Sequence, residues 1–107
     1  LADPLCGGIP TVGLFRELLN GLRLIRDPRA LRNMNLGTPV LFLSGAMDPV
    51  GGCGRGVQAA FRSFQRAGVR DVSLRLYPQL RHEILNEASR EDVYQDLCQW
   101  LECHLDA

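Results

Sequence analysis

Lysine is missing altogether from this 107-residue chain. All twelve basic residues are arginine, and twelve carboxylates balance them to a formal net charge of zero. That balance leaves no basic field to gather phosphates, so nucleic acid is not an expected partner. The lack of lysine itself reads as coding bias and says nothing about function. No apolar run approaches the roughly 18 residues of a membrane span, so no transmembrane segment is expected. The first residues also lack the basic-then-apolar order of a signal peptide, and a cytoplasmic location is the expectation. Cysteine is sparse: Cys6, Cys53, Cys98 and Cys103 fall short of the density of a disulfide-stapled scaffold. Cys98, Cys103 and His104 lack the paired spacings of a zinc site, so free, partly buried thiols are expected, with no metal and no cofactor.

What is present, 46% apolar and 22% charged residues, suits one ordinary globular unit with a buried core. No repeat or linker divides it. After Thr11, a suitable N-cap, apolar residues at Leu14, Phe15, Leu18, Leu19, Leu22 and Ile25 mark one helical face, and predict a buried or half-buried helix. Asp27 before Pro28 supplies the cap and first-turn proline of a second, short helix ending near Asn33. Val40 to Leu43 is continuously apolar and predicts a central strand covered on both faces, whereas Val72, Leu74 and Leu76 alternate with Ser73, Arg75 and Tyr77 as in an edge strand. Between them Val57, Ala60, Phe61, Phe64 and Ala67 form the inward stripe of a helix closed by Gly68. Strand, helix, strand at this spacing is a βαβ unit with parallel strands. Ser89, followed by Glu91 and Asp92, opens a last helix on which Val93, Leu97, Trp100, Leu101 and His104 share a face. There His104 is expected as a terminal-turn residue rather than a ligand.

The most informative pair is Asp48 and His82. Each follows a strand, and in an open parallel sheet reactive groups collect outside the carboxyl ends of the strands. Pro49 holds Asp48 extended as it leaves its strand. A carboxylate that orients an imidazole, and an imidazole that moves a nucleophile's proton, are two members of a three-residue catalytic set, and both are candidate catalytic residues. The third is absent from the chain. None of Ser44, Ser63, Ser73 and Ser89 sits in a G-x-S-x-G elbow, and the chain starts at Leu1 without methionine, so it reads as the C-terminal part of a longer enzyme. Cys53, in Gly51-Gly52-Cys53-Gly54, precedes a helix rather than standing on an elbow and is a poor nucleophile. Arg81, Glu83, Asn86 and Glu87 surround the histidine, where helix capping and solvation are favoured over orienting its loop.

Leu41-Phe42-Leu43-Ser44-Gly45-Ala46-Met47-Asp48-Pro49-Val50-Gly51, Leu76-Tyr77-Pro78 and above all Arg81-His82-Glu83-Ile84-Leu85-Asn86-Glu87 resemble the C-terminal third of α/β-hydrolases of the monoacylglycerol lipase, lysophospholipase and serine aminopeptidase group. The segment Asp3-Pro4-Leu5-Cys6 through Leu19 is similar to the stretch that leaves the cap in this group. The resemblance thus runs along essentially the whole chain, with residues 1–35 as cap exit and helices and 36–107 as a core βαβα segment. It implies Asp48 as triad acid, His82 as triad base, a serine outside this chain and no cofactor. The implied reaction is acyl transfer from a carboxylic ester, a lysophospholipid or monoacylglycerol being the first guess. A different class stays open: a non-catalytic α/β module that self-associates, or packs against a missing N-terminal portion, through an exposed sheet edge. A weaker third reading is a metal or redox site built on the cysteines.

Overall fold

The computed structural model of the chain describes residues 8–105. Cys6 and the Asp3-Pro4-Leu5 stretch lie outside the described residues. The elements run α1 (Val12–Leu24), α2 (Pro28–Arg32), β1 (Val40–Gly45), α3 (Arg55–Ala67), β2 (Val72–Tyr77) and α4 (Arg90–Leu105). The two strands pair in parallel, in register from Val40 with Val72 to Gly45 with Tyr77. The expected βαβ unit is therefore present.

Local signals explain most of the boundaries. The Thr11 hydroxyl accepts the Leu14 N–H at 3.1 Å, and the Asp27 carboxylate accepts the Arg29 N–H at 2.8 Å, so α1 and α2 begin where their caps dictate. Gly68, at φ 97°, ends α3 with its N–H on the Gln65 carbonyl. α3 lies against one face of the sheet, where Phe64 meets Phe42 edge-to-face with 5.1 Å between ring centroids.

One burial expectation is corrected. The α1 stripe is not buried: every residue of α1 is exposed, Leu14, Phe15, Leu18 and Leu19 each by more than half of their surface. Apolar periodicity shows which face of a helix favours burial, but a covering element must exist, and none of the described ones lies over this face. β1 has the apolar pattern of a central strand, yet among the described residues the sheet has two strands and each is an edge, so β1 carries the exposed sheet edge expected of this chain. Its apolar run meets α3 on one face, and on the other Leu43 packs against the cluster of Tyr77, Leu80 and Val93, which leaves Val40 to Leu43 half-buried. Lateral neighbours are set by backbone hydrogen bonds, on which side-chain pattern is silent.

The core sits beneath the carboxyl ends of the strands. Tyr77, Leu80 and Val93 form its buried cluster, with Leu43 and Ile84 packed against it. Val93 is completely buried, a contribution of roughly 1.5–3 kcal/mol for such a side chain. Alternation along β2 has a meaning beyond exposure. The Tyr77 hydroxyl donates to Asp96 Oδ2 at 2.8 Å, and Arg75 pairs with Asp96 Oδ1 at 2.8 Å, so the polar side of β2 is matched to an acid on α4. Burial, helped by Asp96, pushes the Tyr77 phenol up to about 12.

His104 is indeed in the last turn of α4, but it is also a tether. Its Nδ1 lies 2.6 Å from the Trp100 carbonyl and its Nε2 lies 2.9 Å from Asp71 Oδ2, with the ring stacked on Trp100. Both partners are acceptors, so both ring nitrogens donate and the charged form is favoured; its pKa is raised, first by the Trp100 carbonyl and then by Asp71. No helix among the described residues is long and apolar enough to cross a membrane.

Candidate active site

Two loops leave the carboxyl ends of β1 and β2 and are joined by backbone hydrogen bonds before either reactive side chain appears. The Ala46 N–H donates to the Tyr77 carbonyl at 2.9 Å and the Met47 N–H to the Leu80 carbonyl at 3.0 Å. This contact needs glycine at the end of β1. A Cβ on Gly45 would overlap the carbonyl oxygens of Leu80 and Arg81, which pass directly over it. The requirement is one of space, since Gly45 does not occupy a left-handed conformation.

Asp48 is the only buried charged residue among those described, 6% exposed. Its Oδ1 accepts the Val50 N–H at 2.9 Å, and its main-chain carbonyl accepts the Cys53 N–H at 2.7 Å. Its Oδ2 lies 3.1 Å from His82 Nδ1. A carboxylate only accepts, so Nδ1 carries the proton and the neutral ring has its lone pair on Nε2. Among the described residues Nε2 makes no hydrogen bond, and the His82 side chain is 60% exposed. The pair is thus a buried acid, a fixed imidazole and a basic nitrogen facing outward.

Electrostatics agree with that geometry. The hydrogen bond from His82 holds the Asp48 carboxyl below the usual carboxylate range, helped by the Val50 and Gly51 N–H groups against an opposing effect of burial. The same bond raises the His82 pKa above its ordinary value, with the negative charge of Asp48 and, more weakly, of Glu83 adding to it. Chemically the arrangement can take a proton at Nε2 and stabilise the resulting imidazolium.

The structure brings Asp48 and His82 together and keeps Cys53 apart from them. Residues 52–54 all have positive φ, a left-handed run that turns the chain into α3; Cys53 is exposed, and among the described residues no hydrogen bond joins it to His82. The histidine loop departs from the expected capping role. Glu87 sends its carboxylate back to the Arg81 N–H at 2.6 Å, while Asn86 binds Glu83 through both backbone and side chain. Leu80 and Ile84, two residues before and after His82, reach into the core and anchor the loop. Gly45 was not legible as a site feature, since it depends on a backbone approach between segments distant in sequence, and the Glu87 bond to Arg81, though it spans only six residues, depends on how the loop folds back.

A family model described as serine aminopeptidase, S33, matches residues 1–89, a stretch that contains both Asp48 and His82. Among solved structures, the chain is similar to a highly thermostable carboxyl esterase from Bacillus coagulans, crystallised in complex with glycerol. The TM-score is 0.84 at 24% identity, over 94% of this chain and 33% of that one. The chain therefore spans about a third of the esterase's length, and the likeness is one of fold.

Proposed function

The chain belongs to the serine aminopeptidase S33 family of α/β-hydrolases, and from that premise we propose that it supplies the acid and base of a Ser-His-Asp triad whose serine lies outside these 107 residues. The observation that carries the reading is the 3.1 Å contact between Asp48 Oδ2 and His82 Nδ1 at the carboxyl ends of neighbouring parallel strands. In this mechanism Nε2 of His82 accepts the serine proton as the hydroxyl attacks an acyl carbonyl. It returns that proton to the leaving alcohol, and Asp48 holds the tautomer and stabilises the imidazolium. Water then repeats the sequence to release the acid. The fold shared with a carboxyl esterase favours a carboxylic ester as substrate, and a lysophospholipid- or monoacylglycerol-like lipid is the first class to assay. A fluorophosphonate probe tests the division of labour. The 107-residue chain is expected to remain unlabelled, and the same chain continued into a segment bearing G-x-S-x-G is expected to label at that serine. Stoichiometric labelling of the 107-residue chain would refute an external nucleophile.

A second reading, compatible with the first, is supported by what lies uncovered. β1 has a free edge and α1 an exposed apolar face, and unpaired strand edges and large apolar patches favour association. We infer that the chain pairs through Val40 to Leu43 and the α1 stripe, either with further sheet of the same protein or with a second copy. Sedimentation of the chain at high micromolar concentration is expected to show self-association; a monomer that also unfolds cooperatively would contradict it.

A further inference from the structure

The 81–87 loop carries His82 at its start, and the structure shows what closes it. Its far end is fixed to α4: the Arg90 N–H donates to the Glu87 carbonyl at 3.1 Å, and the Tyr94 hydroxyl donates to the Leu85 carbonyl at 2.7 Å. Its near end is fixed to the β1 loop through the Leu80 carbonyl. Between these anchors a single side chain bridges the mouth of the loop, the Glu87 carboxylate bonded at 2.6 Å to the N–H of Arg81, the residue immediately before His82. A carboxylate accepting a backbone N–H is a charge-assisted bond, among the stronger kinds available to a loop.

We propose that Glu87 is a positioning residue for His82, holding the Arg81–His82 backbone so that the imidazole meets Asp48. Calling this a part of catalysis rests on the proposed function above; the geometric role does not. The action runs through the backbone rather than through charge. Glu83, not Glu87, is the nearby acid whose charge reaches the His82 ring alongside that of Asp48. With the bond lost, residues 81–83 keep the Leu80 and Ile84 anchors and the Asn86 bonds to Glu83, but the Arg81 N–H loses its tie and the ring gains freedom to leave the carboxylate.

The test reads His82 directly, without turnover. Imidazole proton resonances of His82 and His104 are followed against pH by NMR in the full chain and in Glu87→Ala and Glu87→Gln variants. In the full chain His82 is expected to titrate above its ordinary value of 6.5, because its bond to Asp48 favours the charged ring. In Glu87→Ala its midpoint is expected to fall back towards 6.5 while His104, tethered to Asp71, stays where it was. Glu87→Gln, whose side-chain oxygen still accepts the Arg81 N–H, is expected to restore the full-chain midpoint. An unchanged His82 midpoint in the alanine variant would overturn the proposal, as would a glutamine variant that behaves like alanine, since charge would then be the cause. If the alanine variant does not fold, which a shifted His104 reveals, Glu87→Asp carries the same comparison by withdrawing the oxygen without removing the charge. A failure of the hydrolase reading would appear in fluorophosphonate labelling and leave these titrations intact, so the two are distinguishable.

Discussion

In a protein that unites this chain with a serine elbow, His82→Ala is expected to lower kcat for ester hydrolysis by on the order of 10⁴- to 10⁶-fold, with little change in KM, as when one member of a triad acting as a unit is removed. Fold should survive, because the His82 side chain is 60% exposed and the core contacts of its loop belong to Leu80 and Ile84. The pH profile adds a sign. In the proposed role His82 would accept a proton only when neutral, and its hydrogen bond to Asp48 raises its pKa, so kcat/KM should climb with pH through a midpoint above 6.5. Asp48→Asn removes the negative charge and should move that limb to lower pH while also cutting kcat, since an amide can hold the wrong tautomer. Turnover of His82→Ala within tenfold of the parent would end the assignment of His82 as base. A limb unmoved in Asp48→Asn would end that of Asp48 as its partner.

Much of this site was legible because it depends on local order along the chain. Asp48 and His82 follow strands that announce themselves by apolar pattern, and parallel topology brings the ends of neighbouring strands to one side. The caps at Thr11 and Asp27 and the stop at Gly68 are likewise local, and each appears where its residue type predicts. What stayed illegible is what depends on partners distant in sequence. The exposed face of α1 looks the same in sequence whether or not something covers it. The apolar run of β1 reflects its contacts with α3 and with the Tyr77–Leu80–Val93 cluster and is blind to which strand edge is paired. Arg75 and Tyr77 read as the wet side of an edge strand, yet they meet Asp96 on α4, because a polar position satisfied by a distant acid and one satisfied by water give the same alternation. Glu87 is illegible for a different reason: its partner Arg81 is only six residues away, but its sequence neighbours suggest a cap, and only the folded loop shows its carboxylate on the Arg81 N–H.

Gly45→Ala is the second substitution with a large expected effect, and its direction separates a steric cause from a conformational one. An alanine exchanged for glycine where the backbone is compatible normally stabilises by roughly 0.4–1 kcal/mol, through lower entropy of the unfolded chain. Gly45 has no positive φ, so backbone freedom alone would forecast that gain. The Cβ, however, would overlap the Leu80 and Arg81 carbonyl oxygens, which are backbone and have no rotamer by which to withdraw. Relief requires lifting the Leu80–Arg81 segment off β1. That breaks the Met47 to Leu80 hydrogen bond, draws Leu80 out of the buried cluster and parts His82 from Asp48. The expected outcome is destabilisation of about 3 kcal/mol, the upper end for overpacking, together with a His82 titration that returns towards 6.5. Gly13→Ala in α1 is the control: its nearest neighbour, the Thr11 hydroxyl, is 3.7 Å away, and it should be neutral or stabilising. Urea unfolding followed through Trp100 fluorescence measures both. If Gly45→Ala proved as stable as the parent, the close passage of the Leu80–Arg81 backbone over β1 would not be what holds the two loops, and with them Asp48 and His82, in register.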